Sequence, residues 1–216
     1  AIFMESPGSL TFEVQDVPGI CTMAKERGIA TLLDNTWATP FFFPAIARGV
    51  NLSVVACTKY ISGHSDLMMG AVTAAPSHIE NLARTSRSFG QYVSPDDAYL
   101  AARGLRTLGA RLRQHELGAV KVAHWLKDQP QVALILHPAF AECPGHEYWR
   151  RDFLGSSGLF AFALKGGDEA ARDHLVDSLE LFGIGYSWGG FESLAVPADV
   201  EKLRTAARRD YPGPLV

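Results

Sequence analysis

The sequence is poor in cysteine. It holds three, Cys21, Cys57 and Cys143, and none is in a CxxC spacing. That indicates neither a disulfide framework nor a zinc site, and a reducing, cytoplasmic setting is expected. An excess of either charge is also lacking: Lys and Arg total 20, Asp and Glu 23, and the formal net charge is −3. Such a balance gives no electrostatic reason to bind nucleic acid or an anionic membrane. No apolar run is long enough to span a bilayer. The longest, residues 39–47, is broken by Pro40 and Pro44 and followed by Arg48. Internal repeats and low-complexity tracts are absent.

What is present fits a folded globular protein. The chain has 216 residues, of which 47% are hydrophobic and 20% charged. That length suits one large domain or one and a half ordinary ones. The two ends read as a strand in progress at Ala1 to Glu5 and a turn followed by strand-type residues at Tyr211 to Val216. On that reading the sequence is a piece of a longer chain.

Up to about Ala75, apolar runs alternate with short helical segments. Strands are expected at Ile2–Glu5 and at residues 29–34, 52–57 and 70–75. Helices are expected at Val17–Glu26, with Gly28 as its stop, and at residues 44–49. Near-continuous apolar runs between short helices predict parallel strands covered on both faces, as in an open α/β sheet. Near Ser94 the pattern changes. Ser94-Pro95-Asp96-Asp97 supplies an N-cap, a proline at the first helical position and acids in the first turn. The spacing then predicts helix from Pro95 to about Lys127, broken at Gly104 or Gly109. Beyond Pro130, strands are expected at residues 132–137, 158–164 and 185–188, and helices at 168–181 and 198–208. This mixture predicts a small α+β domain, with the boundary near Leu105.

Chemistry concentrates in two segments. Leu33-Asp34-Asn35-Thr36-Trp37 is followed by Cys57-Thr58-Lys59-Tyr60-Ile61-Ser62-Gly63-His64-Ser65-Asp66. Asp34 and Lys59 each stand at or just past the carboxyl end of an expected buried strand, the edge where open α/β sheets bind ligands. A lysine beside apolar surface loses its proton more readily and becomes an amine nucleophile. A carboxylate on the same edge suits a protonated pyridine nitrogen. Lysine plus acid is the layout that pyridoxal phosphate requires. Taken singly, these residues have blander readings. Thr-Lys-Tyr after a strand is usually a solvated loop, an acid there is usually a cap, and His64 in a turn is usually structural. The other lysines, Lys25, Lys121, Lys127, Lys165 and Lys202, fall in expected helices or turns, without such an acid partner.

The sequence resembles the pyridoxal phosphate-dependent enzymes of cysteine and methionine metabolism. The resemblance is carried by Asp34-Asn35-Thr36-Trp37, by Thr58-Lys59-Tyr60 with Gly63-His64-Ser65-Asp66, and by Tyr186-Ser187-Trp188-Gly189-Gly190-Phe191-Glu192-Ser193-Leu194. Glu5-Ser6-Pro7-Gly8-Ser9, Ser94-Pro95-Asp96-Asp97 and the Pro144 to Phe153 segment match as well. It implies a fold-type I, mixed-sheet large domain whose C-terminal part is residues 1–104, and a small α+β domain from 105 to 216. Lys59 is implied as the lysine that carries the cofactor and moves protons, and Asp34 as the partner of its ring nitrogen. Thr58 is implied at its phosphate, with Ala56 where the family often has a second phosphate-binding serine. Ser187 and Trp188 are implied at the amino-acid substrate.

Trp37 and Trp188 resemble the β-acting cystathionine-cleaving branch, because γ-acting relatives usually carry Phe and Leu at those places. The implied reaction is β-cleavage of L-cystathionine or a cysteine S-conjugate to a thiol such as homocysteine, pyruvate and ammonia. A γ-acting relative, or a fragment serving only as scaffold, are the competing readings. The implied assembly is a homo-oligomer, a tetramer of paired dimers, in the cytoplasm.

Overall fold

Strand β1 (Ile2–Glu5) pairs in parallel with β2 (Thr31–Asp34), and β2 in parallel with β3 (Leu52–Ala56). Strand β4 (Gly70–Ala74) lies antiparallel on β3, so the sheet is mixed, in the order β1-β2-β3-β4. In this computed structural model residues 1–206 and 210–216 are described. The antiparallel β4 departs from the parallel strand that its apolar run predicts. Residues 57–69 carry no helix that crosses back to the amino edge, so the chain returns from the edge at which β3 ends. Strand β4 is also exposed over most of its length, while β2 and β3 alternate buried and half-buried positions.

Helix α1 (Val17–Glu26) forms where expected. The Asp16 carboxylate accepts from the Gly19 amide at 3.1 Å, Pro18 sits in the first turn, and Gly28 follows at φ 63°. Its apolar face buries Val17, Cys21 and Ala24. Helix α2 (Thr39–Phe42) and a helical turn at Ala45–Arg48 lead into β3. Helix α3 (Ile79–Ser88), which the sequence reading passes over, has no buried residue.

Helix α4 (Pro95–Leu105) begins at Ser94, whose hydroxyl accepts from the Asp97 amide at 3.0 Å. Helix α5 (Leu108–Lys127) follows after a break at Arg106 and Thr107, between the two glycines expected to mark it. Gly104 lies inside α4, where a backbone packs against it: a Cβ there would stand 2.3 Å from the Ile61 carbonyl oxygen.

Strand β5 (Val132–Leu136) pairs antiparallel with β6 (Ala161–Leu164), and Phe162 and Val216 exchange backbone bonds at 2.9 and 3.0 Å. Helix α6 (His146–Asp152) lies between these strands in sequence, and α7 (Glu169–Asp177) follows β6. Three expectations fail here. Helix α7 ends well short of residue 181. Residues 185–188 form no strand; the flanking Gly183 and Leu194 form an isolated bridge. The expected helix at 198–208 is a single turn, Val200–Lys202, because Ala198 is drawn into a bridge with Leu215; residues 207 and 208 of it lie outside the described residues.

One apolar cluster runs through both sheets. Leu33, Phe43, Leu112 and Leu136 are fully buried in it, with Met4, Ala161 and Leu215. Burying each large side chain stabilises the fold by about 1.5–3 kcal/mol. Among the described residues no helix is long and apolar enough to cross a membrane.

Candidate active site

The parallel register brings the carboxyl ends of β2 and β3 to one edge. Asp34 is the last residue of β2, and one of its carboxylate oxygens accepts from the Thr36 amide at 2.9 Å. The Thr36 hydroxyl accepts from the Ala56 amide at 2.9 Å, tying the loop after β2 to the end of β3. The buried Asn35 donates from its backbone to Val54 at 2.8 Å and from its side chain to the Phe43 carbonyl at 2.9 Å. Asn35 and Thr36 therefore fix the edge on which Asp34 stands. The sequence motif contained both residues, but gave no reason to assign them that part.

After β3 the chain makes one wide helical turn, Cys57–Ile61. Ser62 and Gly63 close it by donating to the carbonyls of Cys57 and Lys59, both at 2.9 Å. Lys59 itself leaves the helical region, at φ −89° and ψ −120°. The Thr58 hydroxyl accepts from the Met69 amide at 3.0 Å and donates to the Met69 carbonyl at 3.4 Å. That second bond is long, and a hydroxyl rotor can turn to another acceptor. Tyr60 is buried, and its hydroxyl accepts from the Gly158 amide at 2.9 Å. Burial pushes the phenol up to about 12, against the opposing hydrogen bonds at Ser157, Gly158 and Leu159.

A segment far away in sequence docks on this turn. The Lys59 amine donates to the Ser187 hydroxyl at 3.1 Å and lies 5.0 Å from the centroid of the Trp188 indole. Trp188 in turn packs on Tyr60, with ring centroids 5.4 Å apart. Partial burial holds the Lys59 amine below the usual lysine range. The Ser65 hydroxyl donates to the Glu192 carboxylate at 2.7 Å. Gly190 faces the same two side chains, since a Cβ there would stand 2.0 Å from the Ser65 hydroxyl oxygen.

The remaining candidates separate clearly. Trp37 is 6% exposed, donates to the Leu159 carbonyl at 3.0 Å and packs edge-on against Phe153. It is a core residue, so of the two indoles only Trp188 stands beside Lys59. The exposed His64 turns its ring back to the Ser62 carbonyl. Lys127, at the end of α5, pairs with Glu142 and lies over the Phe140 ring. That pair is half-exposed.

The profile of the Cys/Met metabolism PLP-dependent enzymes matches residues 1–210. Cystathionine beta-lyase MetC of Escherichia coli is 45% identical over 224 residues, which cover all of this chain and 56% of that protein. Cystathionine beta-lyase of Salmonella typhimurium is 43% identical over 221 residues, with the same coverage. L-alanine/L-glutamate racemase of Wolbachia pipientis is 41% identical over 219 residues, covering all of this chain and 54% of that protein. The chain thus spans little more than half the length of these relatives.

Among solved structures, cystathionine gamma synthase of Xanthomonas oryzae, in complex with aminoacrylate and cysteine, superposes with a TM-score of 0.84 at 36% identity. That match covers 89% of this chain and 50% of the other. Cystathionine gamma-lyase of Lactobacillus plantarum, complexed with L-serine, gives 0.85 at 27% identity, over 90% and 51%. These are fold-type I enzymes, and the mixed sheet found here agrees with that fold. On the profile match and the whole-chain identities, the chain belongs to the family of Cys/Met metabolism enzymes that depend on pyridoxal phosphate.

Proposed function

We propose that the whole protein is a carbon–sulfur β-lyase. With water, it cleaves L-cystathionine or a cysteine S-conjugate to a thiol such as homocysteine, pyruvate and ammonia. The observation that carries this reading is the Lys59 amine, partly buried at the sheet edge, bonded to Ser187 and flanked by the Trp188 indole. The β-lyase names of two whole-chain relatives support it.

The residues present fit the cofactor. A lysine of lowered basicity, an acid at the end of the neighbouring strand and a rotatable hydroxyl at Thr58 are the donor set that pyridoxal phosphate needs. Lys59 would hold it covalently, Asp34 would face its ring nitrogen and Thr58 its phosphate. Ala56 offers no hydroxyl there, so the phosphate relies on other donors. When bound, the cofactor supplies the electron sink for charge left on a substrate Cα.

The chain's own residues do the rest. Below its usual pKa, more of the Lys59 amine is unprotonated at neutral pH, which lets it accept the Cα proton and return a proton to the departing sulfur. Ser187 holds that amine in place through its hydroxyl. Trp188 covers one side of it.

The two solved relatives described above are by name a gamma synthase and a gamma-lyase, and the products separate the two readings. β-Cleavage of cystathionine releases pyruvate, and γ-cleavage releases 2-oxobutyrate. Pyruvate as the main keto acid from the full-length enzyme is the expected result; 2-oxobutyrate in its place overturns the β reading. The same proposal includes a homo-oligomer, a tetramer, in the cytoplasm, and a division of the chain near Leu105. Exposed Tyr92, Phe89 and Met68 offer apolar surface for such assembly. A monodisperse full-length monomer in light scattering would refute the oligomer.

A further inference from the structure

We propose that Arg111 is a positioning residue for Lys59, fixing the turn from which the amine projects. This rests on the reading of Lys59 as the cofactor-bearing lysine. Arg111 belongs to α5 and to none of the sequence motifs. Its guanidinium donates to the Tyr60 carbonyl at 2.7 Å, to the Ile61 carbonyl at 3.1 Å and to the Gly104 carbonyl at 2.8 Å. Its Nε donates to the Thr107 hydroxyl at 3.0 Å. Tyr60 and Ile61 are the two residues that follow Lys59.

The fold makes room for this contact. Gly63 has φ 69°, and a Cβ there would stand 2.0 Å from Nη1 of Arg111. Among the described residues no carboxylate pairs with Arg111, and burial lowers its pKa. A desolvated cation is costly without compensation. Here the compensation comes from carbonyl dipoles, two of them on the Lys59 turn. A planar fork reaches several acceptors at once, which one ammonium group cannot do.

Position matters at this turn because Lys59 is not helical. The helical ladder alone does not set its direction; the pinned carbonyls after it do. Tyr60 is held at its other end by the Gly158 amide, and its ring lies against His115 and Trp188. Releasing the carbonyl end would let Lys59 shift against Ser187 and Trp188.

The test uses the full-length holoenzyme and the variants Arg111→Lys and Arg111→Ala. Borohydride reduction and peptide mapping come first. A label off Lys59 in the unmodified enzyme removes the reading beneath the proposal, and is seen before any variant is compared. With the label on Lys59, both variants are expected to keep it there. The pH midpoint of the cofactor's visible band should move by about half a unit or more. The value of kcat should fall about tenfold to a hundredfold, because small displacements at reacting groups cost that much. KM should stay within about threefold, the pattern of a lost transition-state interaction. Added guanidinium ion should restore part of kcat to Arg111→Ala. An unchanged midpoint and kcat in folded Arg111→Lys overturns the proposal. Arg111→Lys keeps the positive charge and loses the planar fork, so it decides the matter even where Arg111→Ala does not fold.

Discussion

Gly189 lies directly on the backbone of Lys59: a Cβ on Gly189 would stand 3.0 Å from the Lys59 carbonyl carbon and 3.1 Å from its Cα. Gly189 also has φ 89°, a conformation that L side chains rarely adopt. This contact lets Ser187 and Trp188, two and one positions earlier, reach the Lys59 side chain.

Gly189→Ala is therefore expected to impair the enzyme more than its fold. The strained angle costs about 1–2 kcal/mol. The displaced loop should lower kcat about tenfold or more, since alignment at the amine is lost. Urea unfolding and steady-state kinetics on the full-length enzyme measure the two effects. Wild-type kcat in this variant would show that the loop's docking does not depend on the close approach.

Lys59 should carry the cofactor. Reduction of the full-length holoenzyme with borohydride should leave the phosphopyridoxyl mass on the peptide containing Lys59, and Lys59→Ala should lose at least about a thousandfold in kcat. A label on any other lysine would sink the assignment and the proton-transfer role with it.

Trp188→Leu should change the ratio of β to γ products. The indole touches both the Lys59 amine and the Tyr60 ring, so removing it opens the space beside the reacting amine. Trp37→Leu should instead act on stability, by breaking the bond to Leu159, worth about 1 kcal/mol, and the packing on Phe153. Keto-acid analysis and chemical unfolding distinguish the two. An unchanged product ratio in Trp188→Leu argues against its part in reaction choice.

Glu13 should govern part of the acid stability. Burial alone would raise its pKa, but hydrogen bonds from Arg204 and Thr11, the Arg204 charge and the Tyr211 hydroxyl outweigh that and lower it from 4.5 to about 2. The folded state thus prefers the carboxylate. Its contribution is complete above about pH 4.5 and is lost as pH falls through about 2. Glu13→Gln should lower the melting temperature at neutral pH and flatten its decline over that acid range. Parallel melting curves for the two proteins across that range would contradict this.

The sequence by itself determined the elements whose signals are local. Asp16, Ser94 and Gly28 mark helix ends because their caps and stops bond within a few residues. The apolar runs at β2 and β3 put Asp34 at the end of one strand and Lys59 just beyond the other for the same reason. Only the tertiary structure decided the rest. The direction of β4 depends on how residues 57–69 return to the sheet, which no local pattern encodes. The segment at 185–188 carries strand-type residues, but it spends them on Lys59 and Tyr60, 128 positions away at the Lys59–Ser187 bond. Trp37 and Trp188 look alike in sequence, and packing alone sends one to the core and the other to the amine. Arg111 gives no sign in sequence, since its partners are backbone carbonyls and a carbonyl has no residue type to recognise.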